Sequence, residues 1–352
     1  MRNIMPNESS LQSIQNYYGE VLSSNKDLKT SACCPTEAMP LHLRPLVMDI
    51  HEEIRERFYG CGSPIPHALN GCTVLDLGCG TGRDVYLLSR LVGEQGRVIG
   101  IDMTAEQLAI ARKHQAWHAE RYGFVKSNVE FHEGFIEDLA TLGIADNSID
   151  VVVSNCVLNL SPEKTRVFKE IFRVLKPGGE LYFSDVFADR RIQVALRNDP
   201  VLLGECLSGA MYVEDFRRTL ADIGCKDARI MSSSLLTVDD EDLNKKIGMV
   251  GFTSKTVRAF KIDLEDKCED FGQIAYYRGG IIECPVFFYL DDHHRFEINK
   301  PMLVCGNTAD MISLSRFAKH FEVIGEKTTH YGIFDCAPGA ALAPSSSSAA
   351  CC

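Results

Sequence analysis

The sequence lacks any uninterrupted run of about 18 apolar residues, so we expect no transmembrane helix and no membrane partner. Its start, MRNIMPNESS, has no apolar core of the kind found in secretion signals, which favours a cytoplasmic protein. Basic residues are outnumbered by acidic ones: 37 Lys and Arg stand against 48 Asp and Glu, which gives a formal net charge of −11. Nucleic-acid binding requires a basic surface, so we expect a small-molecule partner and no nucleic acid.

Disulfide-scaffold composition is also absent. The 14 cysteines among 352 residues are about 4% of the chain, below the roughly 8 to 10% typical of disulfide-rich proteins. In a reducing compartment such thiols are structural, redox-active or ligating. The length allows two domains or one domain with a large extension, and we expect a monomer.

Strands and helices alternate between residues 72 and 185, which predicts an α/β fold with a doubly wound, Rossmann-like parallel sheet. Thr104 and Gln107 have the spacing of a helix capping box. Ser161, followed by Pro162, is predicted to cap the helix after the fourth strand. The five predicted strands are CTVLDLG, RVIGID, NVEFHEG, IDVVVSN and KPGGELYFSD.

The flanking regions are less regular. Residues 11–60 are predicted to be helical, because apolar residues from Leu46 to Phe58 recur at steps of four. The end, APGAALAPSSSSAACC, has low complexity and is expected to be disordered. Between these ends the sequence predicts helices near 189–198, 201–209 and 213–223, strands at 228–237 and 252–262, and a small α+β unit over 268–334.

A glycine-rich loop, Asp76-Leu77-Gly78-Cys79-Gly80-Thr81-Gly82, follows the first strand and opens a helix. Glycines in this context let the backbone approach a ligand closely. The spacing is G-x-G-x-G, not the G-x-G-x-x-G of dinucleotide-binding proteins, which argues against a nicotinamide cofactor. Asp102 ends the second strand, where a carboxylate can accept both hydroxyls of a ribose.

The motifs VLDLGCGTGRD, VIGID and RVLKPGGELYFSD resemble those of class I S-adenosylmethionine-dependent methyltransferases, over residues 72–185. The resemblance implies that S-adenosylmethionine is the cofactor. It implies that the methionine half is bound by Asp76, Gly78 and Gly80. It further implies ribose binding by Asp102, contact with the adenine by Met103, Ile136 and Glu137, and a position beneath the sulfonium for Asn155.

Three cysteines fall in segments expected to surround the methyl group: Cys61 in RFYGCG, Cys156 in VVSNCVLNL and Cys206 in LLGECLSGAMY. Oxygen and nitrogen acceptors need a general base, a role that thiols fill poorly. Thiolates are instead good ligands for soft elements. Three of them could surround trivalent arsenic while its lone pair faces the sulfonium, and no base is then required.

The segments YYGEVL, TSACC, HEEIRERFYGCG, VVSNCVLNL and GECLSGAMY resemble arsenite methyltransferases, from about Tyr17 to Arg278. The resemblance implies that Cys61, Cys156 and Cys206 bind As(III) and that Tyr59 lies over the cofactor. An upstream redox thiol is implied at Cys33 or Cys34, with Cys33 preferred. The family's cysteine-rich tail is represented only by Cys351 and Cys352.

The implied reaction is the methylation of arsenite, or of its glutathione conjugate, to methyl-, dimethyl- and trimethylarsenicals in arsenic detoxification. The catalytic cysteines would be Cys33, Cys61, Cys156 and Cys206. A disulfide of Cys33 and Cys61 would supply electrons to the pentavalent product, and thioredoxin or glutathione would reopen it.

Five units are predicted. They are an N-terminal helical segment over the active site (1–70), an S-adenosylmethionine-binding Rossmann-like domain (71–190), an arsenic-binding subdomain (191–265), a small C-terminal α+β domain (266–336) and a disordered tail (337–352).

Two alternatives fit parts of the sequence. One is a carbon or oxygen methyltransferase that acts on a quinone or similar molecule and has purely structural cysteines. The other is a thiol-rich arsenic- or zinc-binding protein with a vestigial cofactor site. The remaining cysteines are expected to be core residues, because free cysteine is commonly buried: Cys72, Cys79, Cys225, Cys268, Cys284, Cys305 and Cys336.

Overall fold

A mixed sheet of eight strands forms the centre of the protein. The computed structural model describes residues 39–58, 60, 62–196, 199, 202, 207–238 and 241–336. The sheet order is β3-β2-β1-β4-β5-β8-β7, and β6 pairs with β5. The strands are β1 (Thr73–Leu77), β2 (Arg97–Asp102), β3 (Val129–Glu133), β4 (Ile149–Asn155), β5 (Leu175–Ala188), β6 (Met211–Tyr212), β7 (Ala228–Leu236) and β8 (Phe252–Phe260).

Strands β1 to β5 are parallel, in the predicted positions, and confirm the doubly wound α/β fold. The described helices are α1 (Arg44–Met48), α2 (Glu52–Arg55), α3 (Arg83–Val92), α4 (Ala105–Lys113), α5 (Gln115–Tyr122), α6 (Lys164–Val174), α7 (Val213–Asp222), α8 (Glu241–Ile247) and α9 (Gly306–Ser313).

Alternation along β1 explains how both faces of the sheet are covered. Leu75 and Leu77 belong to an apolar cluster with residues of α6, among them Phe168. Val74 points to the other face and packs in a second cluster with residues of α3, such as Leu88. Successive strand side chains point to opposite faces, so helices on both sides are needed to bury them.

Three local predictions were wrong. The expected long helix before residue 60 is broken, because α1 ends at Met48 and the His51 side chain caps a separate helix that begins at Glu52. Thr104 makes no side-chain cap on α4, and its hydroxyl and backbone N–H both bond the Asp102 carboxylate instead. Helix α6 begins at Lys164 rather than after Ser161, whose hydroxyl donates to Glu137 at 2.5 Å.

Strands β7 and β8 continue the main sheet. β8 pairs antiparallel with β5, and β7 pairs antiparallel with β8. Part of the predicted 191–265 unit is therefore continuous with the cofactor-domain sheet. Helix α8 lies between these strands and was not predicted. The five predicted unit boundaries stay a prediction.

The C-terminal part is an α+β unit in which a three-stranded antiparallel sheet accompanies α9. Its core includes Tyr277, Phe288 and Phe317. Arg258 of β8 is fully buried, pairs with Glu180 of β5, and donates to the backbone oxygen of Leu290 at 2.6 Å. The strands are β9 (Glu269–Asp270), β10 (Gln273–Tyr277), β11 (Phe287–Tyr289), β12 (Arg295–Glu297), β13 (Pro301–Val304), β14 (Phe321–Ile324) and β15 (Gly332–Ile333).

Among the helices that the structure describes, none has the length and apolar character needed to cross a membrane.

Candidate active site

One cavity lies at the carboxyl ends of β1, β2 and β4, the edge at which doubly wound sheets bind ligands. Its empty volume is about 1090 Å³, including the solvent in its mouth. Tyr59, Cys33, Cys61 and Cys206 lie outside the described residues, so their predicted roles stay predictions. The lining includes Asp76, Gly78, Gly80, Asp102, Met103, Ile136, Glu137, Asn155 and Cys156, all of the other predicted site residues.

The glycine loop forms one wall of this cavity in a left-handed conformation. Gly78 has φ of 71° and Gly80 has φ of 53°, values that side chains other than glycine rarely adopt. A Cβ at Gly78 would overlap the Val157 side chain, whereas one at Gly80 would meet only open space. Gly78 is therefore required by packing as well as by conformation, and Gly80 leaves room for a ligand against the backbone.

Asp102 is held in place by the loop and by the start of α4. One carboxylate oxygen accepts the Gly80 N–H at 2.8 Å and the other accepts the Thr104 N–H at 2.9 Å. Burial raises the pKa of Asp102, and these backbone donors act in the opposite direction. The carboxylate stays on the lining of the cavity, where a ligand hydroxyl can reach it.

One wall of the cavity is rich in carboxyl groups. Burial raises the pKa of Asp76 well above its usual range, and the negative charges of Asp84 and Asp102 add to the effect. Arg83 opposes this shift, and its guanidinium donates to Asp84 at 2.7 Å. Such a site favours a cationic ligand and disfavours a pyrophosphate. A sulfonium cofactor with an ammonium group fits this wall.

Asn155 joins the end of β4 to this charged wall. Its side-chain amide donates to Asp84 at 3.0 Å and to the backbone oxygen of Gly62 at 3.0 Å. Both N–H groups of the amide are thus donated to protein acceptors. Asn155 therefore positions Asp84 at the wall of the cavity.

Cys156 follows Asn155 and also lines the cavity. It has φ of 58°, one of four non-glycine residues with positive φ in the described part of the chain. Its N–H donates to the Ser184 backbone oxygen at 2.8 Å. A strained backbone of this kind is commonly kept at functional sites. Cys156 forms a disulfide, and none of the other described cysteines is its partner.

Sequence reasoning missed several lining residues. Arg83 and Asp84 stand at the end of the quoted GTGRD motif, and their charge was the available signal. Phe58 was treated as a helix-face residue, but the Arg83 guanidinium lies 3.0 Å from its ring centroid. Ser161 was treated as a helix cap, yet it orients Glu137 at the cavity wall.

Comparisons with known proteins bear on the whole chain. Residues 68–224 match the methyltransferase domain family, and residues 272–338 match the arsenite methyltransferase C-terminal domain. An arsenite methyltransferase from Aquipseudomonas alcaligenes is 53% identical over 325 residues, which cover 92% of this chain and 93% of that protein. The chain belongs to the arsenite methyltransferase family.

The fold of this arsenite methyltransferase family member agrees with a solved relative. The crystal structure of CrArsM from Chlamydomonas reinhardtii, described as an arsenic(III) S-adenosylmethionine methyltransferase, matches with a TM-score of 0.82 and 48% identity. The match covers 85% of this chain and 100% of the CrArsM chain. By contrast, a demethylmenaquinone methyltransferase from Lactococcus lactis, 41% identical over 113 residues, covers 32% of this chain and 41% of that protein.

Proposed function

We propose that this protein transfers methyl groups from S-adenosylmethionine to trivalent arsenic held by cysteine thiolates, and that it serves arsenic detoxification. The position of Cys156 carries the proposal. It lines the same cavity as the predicted cofactor residues and directly follows Asn155, the residue that reaches Asp84. Membership of the arsenite methyltransferase family supports arsenic as the acceptor.

S-adenosylmethionine supplies a methyl group on a positively charged sulfur. Asp76 would face the ammonium end, and Asp102 would accept the ribose hydroxyls. Met103, Ile136 and Glu137 would contact the adenine. The clustered carboxyl groups support this assignment. They are buried close to one another, so their negative charges are poorly compensated by the protein, and a positively charged cofactor would compensate them.

Cys61, Cys156 and Cys206 would hold arsenic through three arsenic–sulfur bonds. The arsenic lone pair attacks the methyl carbon, the carbon–sulfur bond of the sulfonium breaks, and its electron pair stays on that sulfur. No proton leaves the arsenic, so no general base is needed. The residues then supply position and exclusion of water.

Methyl transfer leaves arsenic formally pentavalent, and two electrons must return. Cys33 and Cys61 would provide them by forming a disulfide. Cys156 is part of a disulfide in this structure. A Cys156 locked in a disulfide could not bind arsenic, so a thiol reductant of the thioredoxin or glutathione type must act by exchange first.

The direct test uses the purified full chain with S-adenosylmethionine, arsenite and a thiol reductant, and detects methylated arsenic by mass spectrometry. The wild type should form it, and Cys156→Ser and Cys206→Ser should not. Cys225→Ser is the matched control, because Cys225 is a buried core residue away from the cavity. No methylated arsenic from the wild type, or undiminished product from Cys156→Ser, would refute the proposal.

The same variants separate the quinone alternative. A quinone methyltransferase with structural cysteines should methylate a demethylmenaquinone acceptor and keep that activity in Cys156→Ser. We expect no such activity from the wild type.

A further inference from the structure

Three thiols outside the cavity come together in the C-terminal part of the chain. Cys268 precedes β9, Cys305 directly precedes α9, and Cys336 follows β15. Their sulfur atoms all lie within 4.8 Å of one another. None of the three forms a disulfide. The cluster was not expected, because the sequence predicted three separate core cysteines.

Regular hydrogen bonding brings these segments together. β15 pairs antiparallel with β9, and beyond that pairing the Phe334 N–H donates to the Cys268 backbone oxygen at 2.7 Å. This contact carries the chain toward Cys336. Because the pairing fixes the backbone of both segments, Cys268 and Cys336 are held side by side.

Cys305 is anchored at the first turn of α9. Its sulfur accepts the Thr308 N–H at 3.4 Å and donates to the Thr308 hydroxyl at 3.3 Å. The Arg229 guanidinium donates to the same hydroxyl at 3.3 Å. A helix N-terminus and a nearby cation both favour a thiolate, which is the form of cysteine that binds metals.

The cluster differs from ordinary core cysteines. Cys284 packs in the apolar core of this unit, with Phe288 and Met311, whereas none of the three clustered cysteines belongs to that core. Cys305 is fully buried, but Cys268 and Cys336 are half-buried and open toward solvent. The grouping therefore leaves a path for an ion to enter, and packing alone does not account for it.

We propose that Cys268, Cys305 and Cys336 form a second arsenic site, which binds trivalent arsenic as a trithiolate and does not take part in methyl transfer. Each thiol replaces one hydroxyl of arsenous acid, so three arsenic–sulfur bonds form, three water molecules leave and the oxidation state is unchanged. Structural zinc sites take four ligands, and among the described residues no fourth His, Cys, Asp or Glu joins this group. Three soft donors without a fourth fit pyramidal arsenic.

Occupancy of this site has a structural consequence. Arsenic would join Cys305, the residue before α9, to Cys268, the residue before β9, and to Cys336, which follows β15. A ligand that binds the folded state and not the unfolded chain stabilises the fold by mass action. We therefore expect arsenite to raise the melting temperature even when Cys156 and Cys206 are replaced by serine.

The test uses the full chain carrying Cys156→Ser and Cys206→Ser, reduced with a phosphine and dialysed against arsenite without S-adenosylmethionine. Arsenic per chain is measured by plasma mass spectrometry. Adding Cys305→Ser should lower the bound arsenic by about one atom per chain and remove the rise in melting temperature. Adding Cys284→Ser, in the neighbouring core, should change neither. X-ray absorption should show three sulfur neighbours around arsenic.

Equal arsenic uptake with and without Cys305→Ser would overturn the proposal. So would binding of zinc, but not arsenite, at these thiols in a parallel dialysis. Because this assay contains no methyl donor and lacks the catalytic pair, its result is independent of whether the protein methylates arsenic.

Discussion

Asn155 donates its side-chain amide to the Asp84 carboxylate at 3.0 Å and thereby ties the end of β4 to the first turn of α3. The contact joins the strand that leads to Cys156 with the helix that follows the glycine loop. It holds a carboxylate at the wall of the cavity.

Asn155→Ala should weaken S-adenosylmethionine binding by about tenfold, equivalent to about 1.4 kcal/mol, because Asp84 loses a buried donor. Titration calorimetry measures the effect. Asn70→Ala, at an exposed turn away from the cavity, should bind the cofactor as the wild type does. An unchanged dissociation constant for Asn155→Ala would show that the contact has no role in cofactor binding.

Asp102→Asn should weaken cofactor binding more than its small change in shape suggests. Both carboxylate oxygens accept backbone N–H groups, so either orientation of the new amide sets its NH₂ against a donor. Loss of charge-assisted hydrogen bonds of roughly 1.5 to 3 kcal/mol each predicts about 100-fold weaker cofactor binding.

Equilibrium binding of radiolabelled S-adenosylmethionine provides the measurement for Asp102→Asn. The matched control is Asp146→Asn, because the Asp146 side chain is 67% exposed and pairs with Arg173 at the surface. If both variants bind alike, Asp102 is not a ribose ligand.

Arg258→Met should destabilise the fold by about 3 to 5 kcal/mol, because it leaves the buried Glu180 carboxylate with Arg316 as its remaining partner. Urea unfolding measures the change. Arg97→Met is the matched control. Arg97 also bridges neighbouring strands to a glutamate, Glu130, but both side chains are about half exposed, so about 1 kcal/mol or less is expected. Equal losses would contradict this account of the Arg258 pair.

His118 should make the stability depend on pH. Burial lowers its pKa from 6.5 to about 4, and the neutral ring bonds the His114 oxygen while its other nitrogen accepts the His51 N–H. Between these pH values the unfolded chain binds more protons than the folded one. The unfolding free energy therefore falls as pH drops from 6.5 to 4, by at most about 1.4 kcal/mol per pH unit from this group.

His118→Gln tests this pH dependence, because glutamine offers a donor and an acceptor without titrating. Urea unfolding at several pH values should give a flatter curve for the variant than for the wild type. Parallel curves over pH 4 to 6.5 would assign the dependence to other groups.

The sequence by itself determined the sheet and the cofactor loop, because both depend on local signals. The alternation of strand and helix patterns predicted β1 to β5, the glycine spacing predicted the loop, and Asp102 followed from its place at the end of a strand. Local signals failed at two predicted helix caps. Thr104 and Ser161 have the chemistry of helix caps, but the Thr104 hydroxyl bonds Asp102, two residues before it, and the Ser161 hydroxyl donates to Glu137, which the fold brings near.

Only the tertiary structure decided which side chains meet across long stretches of chain. The Asn155 and Asp84 contact spans 71 residues, and no spacing rule links them. The same holds for the C-terminal thiols. Cys268, Cys305 and Cys336 each resemble a small core residue in sequence, and antiparallel pairing of β9 with β15 beside α9 turns them into one cluster. Periodicity reports which face a residue takes, whereas contacts between distant segments arise from how the elements pack.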